Sequence, residues 1–116
     1  MASIGTDIEQ ISRIEAAMVR TPKFTVRLFT AAECAYCNTK ANPAQHFAAR
    51  FCGKEAFAKA IGQSLSWQDV EIVNNSAGAP VINVYNEAAR LLNGRKVSIS
   101  LSHAGDYAMA TVMIED

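Results

Sequence analysis

The chain has 116 residues, of which 50% are apolar and 19% charged; this is the size and make-up of one globular domain, residues 1–116, and it excludes disorder and coiled coil. Eleven basic residues balance eleven acidic ones, so net charge gives no ground for binding nucleic acid, and no apolar run is long enough to span a membrane. Three cysteines, an odd count with no leader segment before them, point to a reduced, cytoplasmic setting.

In chain order, residues 3–7 (SIGTD) read as a short strand ending on Asp7. Ile8, Ile11, Ile14, Ala17 and Met18 then repeat at helical spacing over residues 8–19, until Thr21-Pro22 stops the helix. A short helical piece covers residues 24–29. Thr30 and Glu33 form a capping box that opens a further helix toward Tyr36. Asn42-Pro43, a cap followed by proline at the first helical position, starts a long helix that runs to Ile61 with Gly62 past its end. Beyond it the period changes. Residues 66–73 and 81–84 read as paired strands around a turn, residues 87–92 as a short helix closed by Asn93-Gly94, and residues 97–102 and 107–114 as a hairpin joined at 103–106. Helices first and antiparallel strands last predict an α+β fold, with a long central helix packed on an antiparallel sheet.

The long helix carries an unusual set of charges. At 100° per residue, Phe47, Phe51, Phe57 and Ile61 share a broad stripe, and Arg50 and Lys54 fall inside it. Glu55 and Lys59 lie one turn apart beside the stripe, and alone they could be an ordinary surface pair. Gly53 weakens the helix, which suggests that another backbone or a ligand comes close. Asp7 is either a helix N-cap or, with Glu55, a hard oxygen ligand for Mg²⁺.

Ser98, Ser100 and Ser102 share one strand face that ends at His103, a polar surface able to meet phosphate or serving no function. Ser102, His103 and Asp106 also invite a hydrolase reading, but G-x-S-x-G is missing and adjacent strand residues point oppositely. Cys34 and Cys37 match C-x-x-C without the second tight pair that zinc needs, or the preceding strand of a thioredoxin site; as small apolar fillers they need no chemistry. Arg13, Arg20, Lys23 and Arg27 against Glu15 make a local basic patch.

Three segments in this order (IGTDIE at residues 4–9, RFCGKEAFAKA at 50–60 and VSISLSH at 97–103) closely resemble the holo-acyl carrier protein synthases, the small bacterial 4′-phosphopantetheinyl transferases. The likeness extends over essentially the whole chain, including LSWQDVEI at residues 65–72. It implies Mg²⁺-dependent transfer of phosphopantetheine from coenzyme A to a serine of apo-acyl carrier protein, with release of adenosine 3′,5′-bisphosphate, in support of fatty acid biosynthesis. It further implies that Asp7 and Glu55 hold the metal and that Lys59 stands by the transferred phosphate. Arg50, Lys54, Ser102 and His103 are expected to join Lys59 in gripping the coenzyme, and the resemblance implies a homotrimer with coenzyme A between subunits. For an acidic carrier protein the expected docking surface is the basic patch, with Arg13, Arg20 and Arg27 and with Met18 near its edge. Two departures stand out: Cys52-Gly53 where the family more often has alanine, and Ala104 where it has serine or threonine. A catalytically silent carrier-binding module and a coenzyme A or nucleotide hydrolase are the competing classes.

Overall fold

The computed structural model describes residues 2–116. Its elements are β1 (Ser3–Gln10), α1 (Ile11–Arg20), α2 (Phe24–Leu28), α3 (Ala31–Asn38), α4 (Pro43–Ile61), a 3₁₀ turn (Trp67–Asp69), β2 (Val70–Asn74), β3 (Pro80–Val84), α5 (Asn86–Leu92), β4 (Lys96–Ala104) and β5 (Tyr107–Glu115). β1, β5 and β4 form an antiparallel sheet in that spatial order, and β2–β3 form a separate antiparallel hairpin. The fold is therefore α+β, as expected.

Local chemistry explains most element ends. The Thr30 side chain accepts from the Glu33 backbone N–H while the Glu33 carboxylate accepts from Thr30 N–H, the reciprocal pair of a capping box. Asn42 Oδ1 accepts from Gln45 N–H, Pro43 opens α4, and Gly62 closes it in the left-handed region at φ 83°.

The first strand departs from the sequence reading. It runs three residues past Asp7, so Ile8 is on a strand and exposed, and helix α1 begins only at Ile11. Asp7 is consequently not its N-cap. That service comes from the other end of the chain: Ser12 N–H and Ser12 Oγ donate to the two oxygens of Asp106, at 3.0 and 2.6 Å. With both oxygens engaged, and exposed in a two-residue turn beyond His103, Asp106 is no member of a hydrolytic triad.

Helix α4 lies between the three-stranded sheet on one side and α3 with the β2–β3 hairpin on the other. That position explains its sequence. A helix covered on most sides buries charges that a surface helix would show to water, and Arg50 and Lys54 are each only 3% exposed. Small residues let the layers approach. Gly5 on β1 lies directly over α4: a Cβ there would overlap Ala56 O and come within 2.7 Å of Ala60 N. Gly53 faces the tips of Ile72 and Ile99, at 2.8 and 3.0 Å from an ideal Cβ, so what comes close to it is neither backbone nor ligand but two flexible side-chain ends.

A candidate active site where the first strand crosses the long helix

Strand alternation turns Gly5, Asp7 and Glu9 toward α4, and Ile4, Thr6 and Ile8 outward. The close contact at Gly5 sets Asp7 against the last turns of the helix, where Lys59 Nζ donates to Thr6 O at 2.9 Å and to Asp7 Oδ1 at 3.2 Å. The ammonium is largely in water while the Asp7 side chain is only 10% exposed. The second oxygen of Asp7 is buried with no hydrogen-bond partner. A desolvated carboxylate oxygen left bare is costly, and a cation would satisfy it.

Glu55, half-buried one turn before Lys59, lines two adjoining depressions. One, of about 200 Å³, is walled by Ala58, Leu65, Trp67 and Val70; the other is lined by Lys59, Gly62, Gln63 and Ser64. Glu9 also belongs here, and the sequence reading missed it. Its pKa is raised to about 7, by burial first, then by a side-chain hydrogen bond with Asp7 and by that carboxylate's charge, with Glu55 adding and Arg13 opposing. The signal was available: a strand continued past Asp7 puts Glu9 on the same face.

No cluster of three or more metal-ligating side chains occurs among the described residues. What the chain offers is two carboxylates, Asp7 and Glu55, one with a bare buried oxygen. That set fits Mg²⁺, which takes one or two carboxylates and completes its shell with water and substrate oxygens.

Lys54, expected at the coenzyme, is committed elsewhere. Its ammonium donates to Glu33 Oε1 at 2.8 Å, to Trp67 O at 2.8 Å and to Val70 O. Those are the three donors that a lysine has, so none remains for a phosphate. The Glu33 carboxylate also accepts from Ile72 N–H at 2.9 Å. The pair therefore fixes the segment that walls the groove beside Glu55, and its role is to shape that groove.

Arg50, about 140° round the helix from Glu55, opens a second cleft, of about 180 Å³, with Tyr36, His46, Asn74, Ser102 and His103. Its guanidinium lies over the Tyr36 ring at 4.4 Å and donates to Asn74 Oδ1 at 2.7 Å. Among the described residues no carboxylate pairs with it, and its buried Nε has no acceptor. His103, exposed on β4 opposite Ala108, shares a hydrogen bond of 3.1 Å with Gln45.

Arg13 and Arg20 are exposed along a groove of about 360 Å³ whose other walls include Glu9, Ala17, Phe24 and Phe51. Arg27 is exposed on α2. Met18 is half-buried against the core, so its edge alone is free, while the neighbouring Val19 and Val26 are 80% and 60% exposed. Cys37 and Cys52 are buried in the core, and burial pushes both thiols up, Cys37 to about 12, which suits packing and not redox or metal chemistry.

The model of the 4′-phosphopantetheinyl transferase superfamily matches residues 3–112. The chain belongs to that family. The holo-[acyl-carrier-protein] synthase of Geobacter metallireducens is 44% identical over 119 residues, covering 96% of this chain and 94% of its own. The synthase from Neisseria meningitidis superposes with a TM-score of 0.88 at 30% identity, covering 98% of each chain. The Helicobacter pylori synthase, solved in complex with coenzyme A, gives 0.85 at 31% identity over 97% of this chain and 99% of that one. The fold and the transferase class expected from the sequence are thereby confirmed.

Proposed function

We propose that this enzyme moves the 4′-phosphopantetheine group of coenzyme A to a serine of apo-acyl carrier protein, with Mg²⁺, and releases adenosine 3′,5′-bisphosphate. The observation that carries the reading is the buried Asp7 oxygen without a hydrogen bond, on a carboxylate that the Lys59 ammonium contacts, with Glu55 one helical turn before Lys59 in the adjoining groove. The coenzyme A complex of the H. pylori relative supports coenzyme A as the donor.

In the reaction the serine oxygen bonds to the phosphorus next to pantetheine, and the bond from that phosphorus to the bridging diphosphate oxygen breaks. The electron pair leaves with the bisphosphate, and the hydroxyl proton passes to a carboxylate or to solvent. Asp7 and Glu55 hold the metal; when bound, Mg²⁺ neutralises diphosphate charge and polarises the phosphoryl oxygens. Lys59, exposed and donating to Thr6 O and Asp7, meets charge growing on the phosphoryl oxygens. Such a transfer asks chiefly for positioning and charge stabilisation. Arg50, Ser102 and His103 grip a further phosphate of the coenzyme.

A homotrimer fits two features. The grip at Arg50 and the carboxylates at Asp7 and Glu55 lie on different sides of α4, so a coenzyme held at both is best shared between copies. The outer sheet face also leaves a strip of Ile4, Ile8, Met109 and Met113 at 37–65% exposure, which a second copy would cover. The carrier protein docks on Arg13, Arg20 and Arg27, with the edge of Met18. A cytoplasmic role in fatty acid biosynthesis accords with these partners. Nucleotide release, followed with and without apo-carrier protein and with chelator, tests the reading. Release that needs both carrier and Mg²⁺ is expected; equal release without carrier would make the protein a hydrolase.

A further inference from the structure

The cleft at Arg50 holds an imbalance of positive charge. Among the described residues the buried guanidinium has no counter-ion, and burying a cation unpaired is among the costlier things a fold can do. His46 lines the cleft and packs edge-on to the Tyr36 ring at 5.9 Å, His103 comes from β4, and Lys40, outside the lining, stands over the same ring at 4.4 Å. The polar lining from α4 is Arg50, His46 and the neutral Gln45, that from β2 the neutral Asn74, and among the described residues no acidic side chain lines the cavity. Arg50 Nη1 donates to the backbone oxygen of His46, so the imidazole and the guanidinium are held one turn apart on one wall.

We propose that this cleft is a proton-coupled phosphate subsite, in which His46 takes up a proton as a phosphate monoester of the coenzyme seats against Arg50. The inference rests on the coenzyme A reading above and goes past it, since it assigns His46 to recognition and makes that recognition depend on pH. The physical sequence is simple. Without an anion, burial and then the charges of Arg50, Lys40 and His103 hold His46 below the usual histidine range, so it is neutral at neutral pH. A dianion in the cleft reverses the local field, raises the histidine, and draws a proton from solvent. Binding therefore tightens as pH falls, with a limit of about tenfold per pH unit for one proton fully coupled. The monoester is the fitting group: its second ionisation lies at about pH 6, so at pH 7.5 it arrives as the dianion.

The chain has two histidines, which makes the test direct. The imidazole carbon-bound protons of wild-type protein are titrated by NMR without metal, free and with coenzyme A or 3′-dephospho-coenzyme A. Calorimetry at pH 7.5 in two buffers of different ionisation heat counts protons. The expected result is a clear upward shift of His46 with coenzyme A only, uptake approaching one proton, and several-fold weaker binding at pH 8 than at pH 7. His46→Phe should lose most of that uptake and flatten the pH dependence of binding. Unshifted histidines, or binding without proton uptake, overturn the proposal. So does equal behaviour of the two coenzymes, because the monoester then lies elsewhere. Transfer to apo-carrier protein, measured in parallel, separates these outcomes from failure of the functional reading, since transfer would persist while the linkage was absent.

Discussion

In the proposed mechanism the chemistry turns on Asp7: one of its oxygens accepts from Lys59, and the other is buried with no hydrogen bond among the described residues. Asp7→Asn or Glu55→Gln should lower transfer by a hundredfold or more, on the order of the loss seen when one electrostatic contact in a preorganised site is removed, while circular dichroism and Tm stay near wild type. Chelator should silence the wild-type enzyme and Mg²⁺ restore it; variants that keep near-normal turnover would remove these residues from the metal site. Glu9 makes a separate prediction from its pKa of about 7. A carboxyl group raised in the folded state binds a proton there that the unfolded chain has already lost, so stability declines as pH rises from about 4.5 to about 7. The metal-free Tm should fall across that window, and Glu9→Gln should remove the slope. A flat profile in the wild type would show that Glu9 ionises normally.

Among the elements, the crossing of β1 over α4 and the burial of α4 explain what the sequence could and could not disclose. The helix bounds were legible because Asn42, Pro43 and Gly62 each have a local job, and the capping box at Thr30 likewise. The extent of β1 was not, because Ile8, Ile11 and Ile14 repeat at helical spacing, and only pairing with β5 through Tyr107 keeps Ile8 on the strand. Lys54 was misassigned for a related reason. A wheel shows that it lies in the apolar stripe, yet its partners, Glu33 and the carbonyls of Trp67 and Val70, come from other elements. The two glycines give a paired prediction. Gly5→Ala sets a methyl group against helix backbone that cannot yield, and should cost about 3 kcal/mol and much of the activity, since overpacking a tight contact costs roughly 1–3 kcal/mol or more. Gly53→Ala meets only the movable ends of Ile72 and Ile99 and gains up to about 1 kcal/mol of helix propensity, so it should be close to neutral. Chemical denaturation ranks the two, and equal losses would contradict the close approach at Gly5.

For the molecule as a whole, zero net charge means that an acidic partner must be drawn by a patch, and α1 supplies one in Arg13 and Arg20, with Arg27 on α2. Exposed charges act mainly on association and fade with salt, the Debye length being about 8 Å at physiological ionic strength. Arg13→Glu with Arg20→Glu should raise KM for carrier protein several-fold and flatten its salt dependence, with coenzyme A affinity unchanged; unaltered docking at low salt would place the interface elsewhere. The central claim is that all these pieces serve one group transfer, and it is tested most directly by a mass spectrum of apo-acyl carrier protein after incubation with this enzyme, coenzyme A and Mg²⁺. The account predicts a gain of one phosphopantetheine on the carrier, absent with chelator and lost with Asp7→Asn. A carrier of unchanged mass, with the wild-type protein folded and coenzyme A bound, would contradict it.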